Sequence, residues 1–361
     1  MGLTLTLTDN ELPASPAFIE FLHATLTGTE QHVGGWYAQE EEDLVSDQGR
    51  FENIREKTQI VMSLPEGKER IVRAYRLFKE ILTGRLDALR AFSRFRFFFI
   101  IGIPRTGGTY LTKQFFRATG VDYKQVQNAL AHDGFPHLAF LSFQQRGNVH
   151  TNSLVQLAEY LTMVEMFFTQ HGRLAYHGGV VVPKKFTKAV YNFPLIKELF
   201  GSDSEYIMTL RHPLSIIQST LDKSGGLPKG GKFAVRSVIE RWAMEDWVRW
   251  GVSEERIANT DYYEVFLGYW KRYHYQIALE GIPAMPTATL VPYSEESMIG
   301  TVSRFYEAFG VDIKPEDFKV AKPPKTSQKI EKMAQEAVDG VSDFWSSLGL
   351  EFPAKELAAK H

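Results

Sequence analysis

The stretch "FFFIIGIPRTGGTYL", residues 97–111, changes character twice. Phe97 to Ile101 is unbroken apolar sequence, which suits a strand buried on both faces, as in a parallel sheet. It stops at Gly102 and becomes a small polar loop ending in Gly107-Gly108-Thr109. From Thr109 to Thr119 the pattern is helical, and Gly120 is a natural stop. A strand, a glycine-rich loop and a helix start form a phosphate cradle, because loop N–H groups and the helix dipole both face an anion. The spacing of Gly102 and Gly107 and the threonine at 109 match G-x-x-x-x-G-K-[ST], but Gly108 stands where that motif has lysine. The cation reaching β- and γ-phosphates is therefore missing, and Arg105 inside the loop supplies a charge instead. The alternative is an ordinary strand–helix turn.

Outward from this loop the grammar repeats. "GGVVVPKKF" (178–186) precedes a helical "FPLIKELFG", and "EYIMTL" (205–210) runs into a helix through "RHPLSIIQSTL". "TATLVPY" (287–293) precedes a helix through "MIGTVSRFYEAFG". Strands alternating with helices predict an α/β fold with a mostly parallel, P-loop-like central sheet flanked by helices. Residues 1–95 read as a helical N-terminal region, with Ile71, Val72, Tyr75, Leu77, Phe78, Ile81 and Leu82 at helical spacing. Residues 121–177 and 224–275 read as helical or loop insertions over the site. We expect a single domain with its α/β core over residues 97–315 and a helical tail over 316–361, packed on the outside. No internal repeat or low-complexity block interrupts it.

Composition narrows the function classes. With 44% hydrophobic and 13% aromatic residues the chain belongs among globular proteins. A net charge of −2 provides no global field for nucleic acid or an anionic membrane, so neither is an expected partner. The absence of cysteine excludes disulfides, thiolate metal sites and cysteine nucleophiles. The first residues lack a charged segment followed by an apolar core, and the run at 97–101 is far short of the about 20 residues a membrane span needs. A cytoplasmic protein is the expectation. The histidines show no metal-ligand spacing, so no metal is expected.

A second signal follows the third strand. Arg211 stands at its end and Ser219 eight residues on, about two helical turns, where both can reach a phosphate at the carboxyl edge of the sheet. Taken singly, a surface salt bridge and an ordinary helix hydroxyl remain the alternatives. Together, "PRTGGTY" and "RHPLSIIQS" resemble the two nucleotide motifs of the sulfotransferases, which take a sulfuryl group from 3′-phosphoadenosine 5′-phosphosulfate (PAPS). The first resembles the 5′-phosphosulfate loop P-[KR]-[ST]-G-T-T-x, and the second the 3′-phosphate motif with its R-x-P opening and later serine. "LIKELFGSDSEYIMTLRHP", "TATLVPYSEESMIGTVSRFYEAFGV" and the Tyr-Trp pair in "LGYWKRY" fit the same order, and the resemblance covers about residues 97–315.

The resemblance implies that Arg105, Thr106, Gly107, Gly108, Thr109 and Tyr110 hold the 5′ end, and that Arg211 and Ser219 hold the 3′-phosphate. It implies sulfuryl transfer to a hydroxyl or amine of a small-molecule acceptor, with release of adenosine 3′,5′-bisphosphate. Arg105 would stabilise the leaving group electrostatically. Arginine replaces a common lysine there, and Gly108 a common threonine. Tyr110 falls where relatives carry tryptophan, against the nucleotide or in the core. The expected general base is His132 or Asp133, in "ALAHDGFPH"; a loop histidine and a turn aspartate are the plain alternatives. Lys185 is a sulfate contact or a solvated lysine.

On a helical projection of residues 235–250, Val235, Val238, Ile239, Trp242, Ala243, Trp247 and Trp250 share one side with Asp246 in their midst. Asp246 is then a substrate contact, an alternate base, or the partner of a nearby arginine. The basic, glycine-rich stretch 222–236 suggests a lid from which Lys229, Lys232 or Arg236 caps the 3′-phosphate. The competing classes are a P-loop kinase or nucleotide hydrolase, which the missing lysine disfavours, and a nucleotide-binding relative without turnover.

Overall fold

The computed structural model describes residues 12–29, 47–85, 92–136, 151–172, 174–176, 178–200, 204–320 and 326–358. The expected helical patterning at 86–91 and the parts of the expected insertion at 137–150 lie outside these residues.

The apolar run is a strand two residues longer than the sequence suggested, β1 (Phe95–Ile101). Alternation sends its side chains to opposite faces. Phe97 and Phe99 stack with ring centroids 5.5 Å apart and meet Phe200 edge-on, while Phe98 on the other face meets Phe305 at 5.2 Å. Each face therefore seals its own apolar core, the larger around Phe97 and Phe99 and the smaller around Phe98 and Ile100. Burying an aromatic or aliphatic side chain this way stabilises by about 1.5–3 kcal/mol, which is why the middle strand is so uniformly greasy.

The sheet orders its strands β2-β3-β1-β4-β5, with β2 (Ala175–Tyr176), β3 (Gly179–Lys185), β4 (Glu205–Leu210) and β5 (Ala288–Pro292). β1 runs parallel to β3 and β4, and β4 parallel to β5; only β2 is antiparallel, to β3. β2 is too short to leave a mark in the sequence pattern. The chain leaves β1 for one neighbour, β3, and then crosses to the other, β4. The carboxyl end of β1 is thus a topological switch point, where open α/β sheets place ligands.

Helices α1 (Pro16–Thr27), α2 (Gln48–Ser63) and α3 (Pro65–Thr83) form the N-terminal region. After β1 come α4 (Gly108–Thr119), capped by Gly120, and α5 (Thr151–His171). Within the first insertion the residues at 132–133 reach the carboxyl edge of the sheet, while α5 packs on α3, where Arg73 meets Glu165 at 3.2 Å across the seam. α6 (Phe193–Phe200) leads into β4, and α7 (Pro213–Ser224) follows it. From the second insertion, α8 (Val238–Arg249) reaches the carboxyl edge of the sheet and α9 (Tyr262–Leu279) packs beside it. α10 (Glu295–Ala308) closes the smaller core. The tail helix α11 (Gln328–Ser347) lies on α9, but its Trp345 is fully buried and donates to the His274 carbonyl at 3.0 Å. The tail is therefore part of the main core and not merely an outer layer. No helix among the described residues is long and apolar enough to cross a membrane.

Candidate functional site

The loop after β1 turns sharply because two residues take positive φ, Arg105 at 75° and Gly107 at 90°. Its glycines are set by close approach. A Cβ on Gly102 would lie 2.1 Å from Thr209 Oγ1, because the loop folds onto the end of β4. There Thr106 and Thr209 pair their hydroxyls at 2.6 Å, and Thr106 also donates to the Ile103 carbonyl at 2.8 Å. Thr106 therefore holds the loop to the scaffold with its side chain. A Cβ on Gly108 would meet Lys185 Cε at 3.2 Å and Ile100 Cγ2 at 3.3 Å. The missing loop lysine thus has a steric counterpart: the Lys185 side chain, arriving from the end of β3, lies across that position.

The loop opens into a cleft of about 270 Å³ at the carboxyl edge of the sheet. Arg105, Thr106, Gly107, Gly108, Thr109, His132, Asp133, Lys185, Arg211 and Ser219 all line it. Arg105 and Ser219, 114 positions apart, are brought into contact there, with Arg105 Nε donating to Ser219 Oγ at 2.9 Å. Arg211 is 5% exposed, with Nη1 donating to the Arg105 carbonyl at 2.9 Å and the guanidinium 3.9 Å from the centre of the Tyr293 ring. Trp270, half of the expected Tyr-Trp pair, fixes this residue from behind by donating Nε1 to the Arg211 carbonyl at 3.1 Å.

His132 and Asp133 follow a wide helical turn, Gln127–Ala131. His132 Nε2 stands 2.9 Å from Thr109 Oγ1. Burial, then the Lys185 charge, lowers the His132 pKa to about 3, so the ring is neutral at neutral pH. Asp133 is fully engaged. It accepts from Thr187 N at 2.6 Å and from Thr187 Oγ1 at 3.1 Å, and it pairs with Lys185 Nζ. Burial alone would raise its pKa, but the charges of Lys185 and His132, with hydrogen bonds from Lys185 and Thr187, bring it down to about 2.

Five candidate residues fall elsewhere. Tyr110 does not line the cleft; its hydroxyl donates to the Glu316 carbonyl at 2.6 Å and its ring packs 4.8 Å from Phe318. Asp246 is fully buried away from the cleft, accepting from Arg272 Nε at 2.6 Å, so the arginine alternative is the one that holds. In the basic stretch, Arg236 is held by buried Glu240 at 2.9 Å and Lys232 donates to the Asn259 carbonyl at 2.8 Å; neither lines the cleft, nor does Lys229. The further cation is Lys223, one turn beyond Ser219 on α7. Its i+4 spacing from Ser219 was a readable signal. Val238, Ile239 and Trp242 of α8 add an apolar wall, and Tyr293 completes the lining. A larger hollow of about 400 Å³ along α2 gathers none of the motif residues.

No family model matches the chain, and no curated protein matches it. Among the solved structures that resemble it, two are sulfotransferases. One is a sulfotransferase domain from the curacin biosynthetic pathway, 17% identical, covering 72% of this chain and 99% of that one with a TM-score of 0.36. The other is the sulfotransferase STF1 from Mycobacterium tuberculosis H37Rv, 13% identical, covering 92% of this chain and 99% of that one with a TM-score of 0.35. At such distance the functional reading rests on the cleft itself. Among the described residues, no three His, Cys, Asp or Glu side chains gather in a metal-holding group.

Proposed function

We propose that the chain is a PAPS-dependent sulfotransferase acting on a hydroxyl or amine of a small-molecule acceptor in the cytoplasm. The observation that carries this reading is the direct Arg105–Ser219 contact, which joins a phosphate loop to a second basic half-site inside one cleft. A ligand suited to it carries anions at two ends. Arg105, Thr109 and the loop amides take the 5′-phosphosulfate, and Arg211, Ser219 and Lys223 take the 3′-phosphate.

In the reaction the acceptor oxygen or nitrogen forms a bond to sulfur as the sulfur–oxygen bond to the nucleotide breaks, and the bond electrons leave with the bisphosphate. Arg105 and the helix start of α4 stabilise that charge. Lys185 sits beside the transferring group. His132 takes the acceptor proton at Nε2, because both Asp133 oxygens are already committed. Val238, Ile239 and Trp242 favour an acceptor with an apolar body. A kinase reading is weaker, since Gly108 stands where a nucleotide-triphosphate loop carries the lysine that reaches the β- and γ-phosphates.

Calorimetric titration with adenosine 3′,5′-bisphosphate, and with ATP with and without magnesium, tests the reading. We expect bisphosphate to bind at least about tenfold more tightly than ATP, which is about 1.4 kcal/mol, with no help from magnesium. Preference for magnesium-ATP would move the protein to the kinases, and bisphosphate binding without any turnover to the non-enzymatic relatives.

The low pKa of His132 gives a second expectation. The ring is neutral from about pH 4 upward, so kcat/KM shows no acid limb near pH 6.5. A limb centred there would assign the base to another group. The accompanying stability term has a definite sign. The folded pKa lies below the unfolded one, so the term is fully present above pH 6.5 and is lost as pH falls toward about 3.

A further inference from the structure

Two lysines end β3, and the alternation of a strand sends them to opposite sides. Lys185 enters the cleft. Lys184 turns the other way and is fully buried. Its Nζ donates to the His132 carbonyl at 2.6 Å and to the Phe135 carbonyl at 2.5 Å, closing the two ends of the turn that carries His132 and Asp133. The ammonium lies 4.7 Å from the Tyr160 ring and 5.6 Å from the Phe186 ring. Tyr160 in turn donates to the Leu130 carbonyl at 3.2 Å, bracing the chain just before the turn. The charged groups that act on Lys184 are Asp133 in the turn, which favours its charge, and Lys185 beside it, which opposes it.

We propose that Lys184 is a positioning residue of the transfer reaction: it clasps the His132–Phe135 turn so that His132 faces Thr109 and the cleft. This rests on the sulfotransferase reading above. A buried ammonium is a poor choice for stability alone, because taking its charge out of water is costly and an apolar side chain of similar size often does as well or better. Burial indeed lowers its pKa to about 7. What an apolar residue cannot supply is two N–H donors aimed at two carbonyls, and those carbonyls bracket the proposed base. The neutral amine still has two donors, so the clasp survives as pH rises through 7.

The test is Lys184→Met, measured on the full chain. Bisphosphate affinity by calorimetry should stay within about twofold, because Lys184 does not line the cleft. Turnover of PAPS with 4-nitrophenol as probe acceptor should fall about 100-fold in kcat, the scale of a catalytic group displaced by about 1 Å. In NMR spectra the His132 ring signal, silent between pH 5 and 7.5 in the wild type, should titrate near 6.5 in the variant. Turnover within threefold of wild type, or a loss of bisphosphate binding equal to the loss of kcat, overturns the proposal. If Lys184→Met does not fold, Lys184→Gln keeps two N–H donors without the charge, so its turnover should stay within about tenfold of wild type; a loss of about 100-fold there with bisphosphate binding intact overturns the proposal equally. Should the wild type bind no bisphosphate, the sulfotransferase reading fails by itself. The His132 signal then decides the clasp alone, and an unchanged signal in Lys184→Met refutes it.

Discussion

Replacing Arg211 with methionine should weaken adenosine 3′,5′-bisphosphate binding by about 10³-fold while leaving the fold intact. The guanidinium is almost wholly buried and aimed from the end of β4 into the cleft. Its partners there are a single carbonyl, that of Arg105, and the face of Tyr293; its buried Nε meets no hydrogen-bond partner among the described residues. An arginine left with so few partners is prepared for an anion, and removing one member of a buried charge pair costs about 2–5 kcal/mol in binding. Methionine keeps much of the apolar stem packed on Tyr293 and removes a poorly paired buried charge, so the melting temperature should hold or rise. Calorimetry and a thermal melt on the same sample check both halves. Bisphosphate affinity within threefold of wild type would remove the 3′-phosphate from this site. A collapse of the fold would make Arg211 structural.

The order of strands and helices was legible because parallel strands are buried on both faces and so appear as short apolar runs with abrupt polar ends. "EYIMTL" is the strand Glu205–Leu210 to the residue, and Gly120 does end α4. What the sequence left open was decided mostly by long-range contacts. Tyr110 sits in a loop pattern that suggests a nucleotide contact, yet Glu316 and Phe318, some 200 positions on, claim it. Asp246 was visible as a carboxylate amid tryptophans, but only the folded chain shows that Arg272 neutralises it. Residues 121–177 divide between two places: His132 and Asp133 line the cleft, while α5 packs on α3. Lys223 and the two lysines of β3 are different. Helical spacing from Ser219 places Lys223, and alternation along the strand separates Lys184 from Lys185; both are local rules, and of these three lysines Lys185 was the one expected at the site. The lesson lies in the geometry of the elements: a motif marks where the loop is, whereas its neighbours on the sheet edge determine which charges reach it.

Arg105 presents the sharpest conflict between stability and use. Its φ of 75° puts a residue with a Cβ in the left-handed region, at a cost of about 1–2 kcal/mol. Glycine would take that conformation freely, and three glycines already stand in the same loop. The strained backbone is what lets one residue do three things. Its carbonyl accepts from Arg211, its Nε reaches Ser219, and its charge lies in the cleft beside the helix start of α4. Arg105→Gly should therefore relieve strain while giving up about 0.4–1 kcal/mol to the more flexible unfolded chain. The two nearly cancel, so the melting temperature should shift by no more than about 2–4 °C. Catalysis should not survive the exchange. Losing the one cation within the loop removes stabilisation of the departing bisphosphate, and kcat with PAPS should fall about 10²–10³-fold. Arg105→Lys, which keeps the charge on the strained backbone, should recover at least tenfold of that loss. If instead Arg105→Gly retains wild-type turnover, the leaving-group charge is met by another cation of the cleft, such as Lys185. If it melts far below wild type, the bond to Ser219 serves the fold before it serves the reaction.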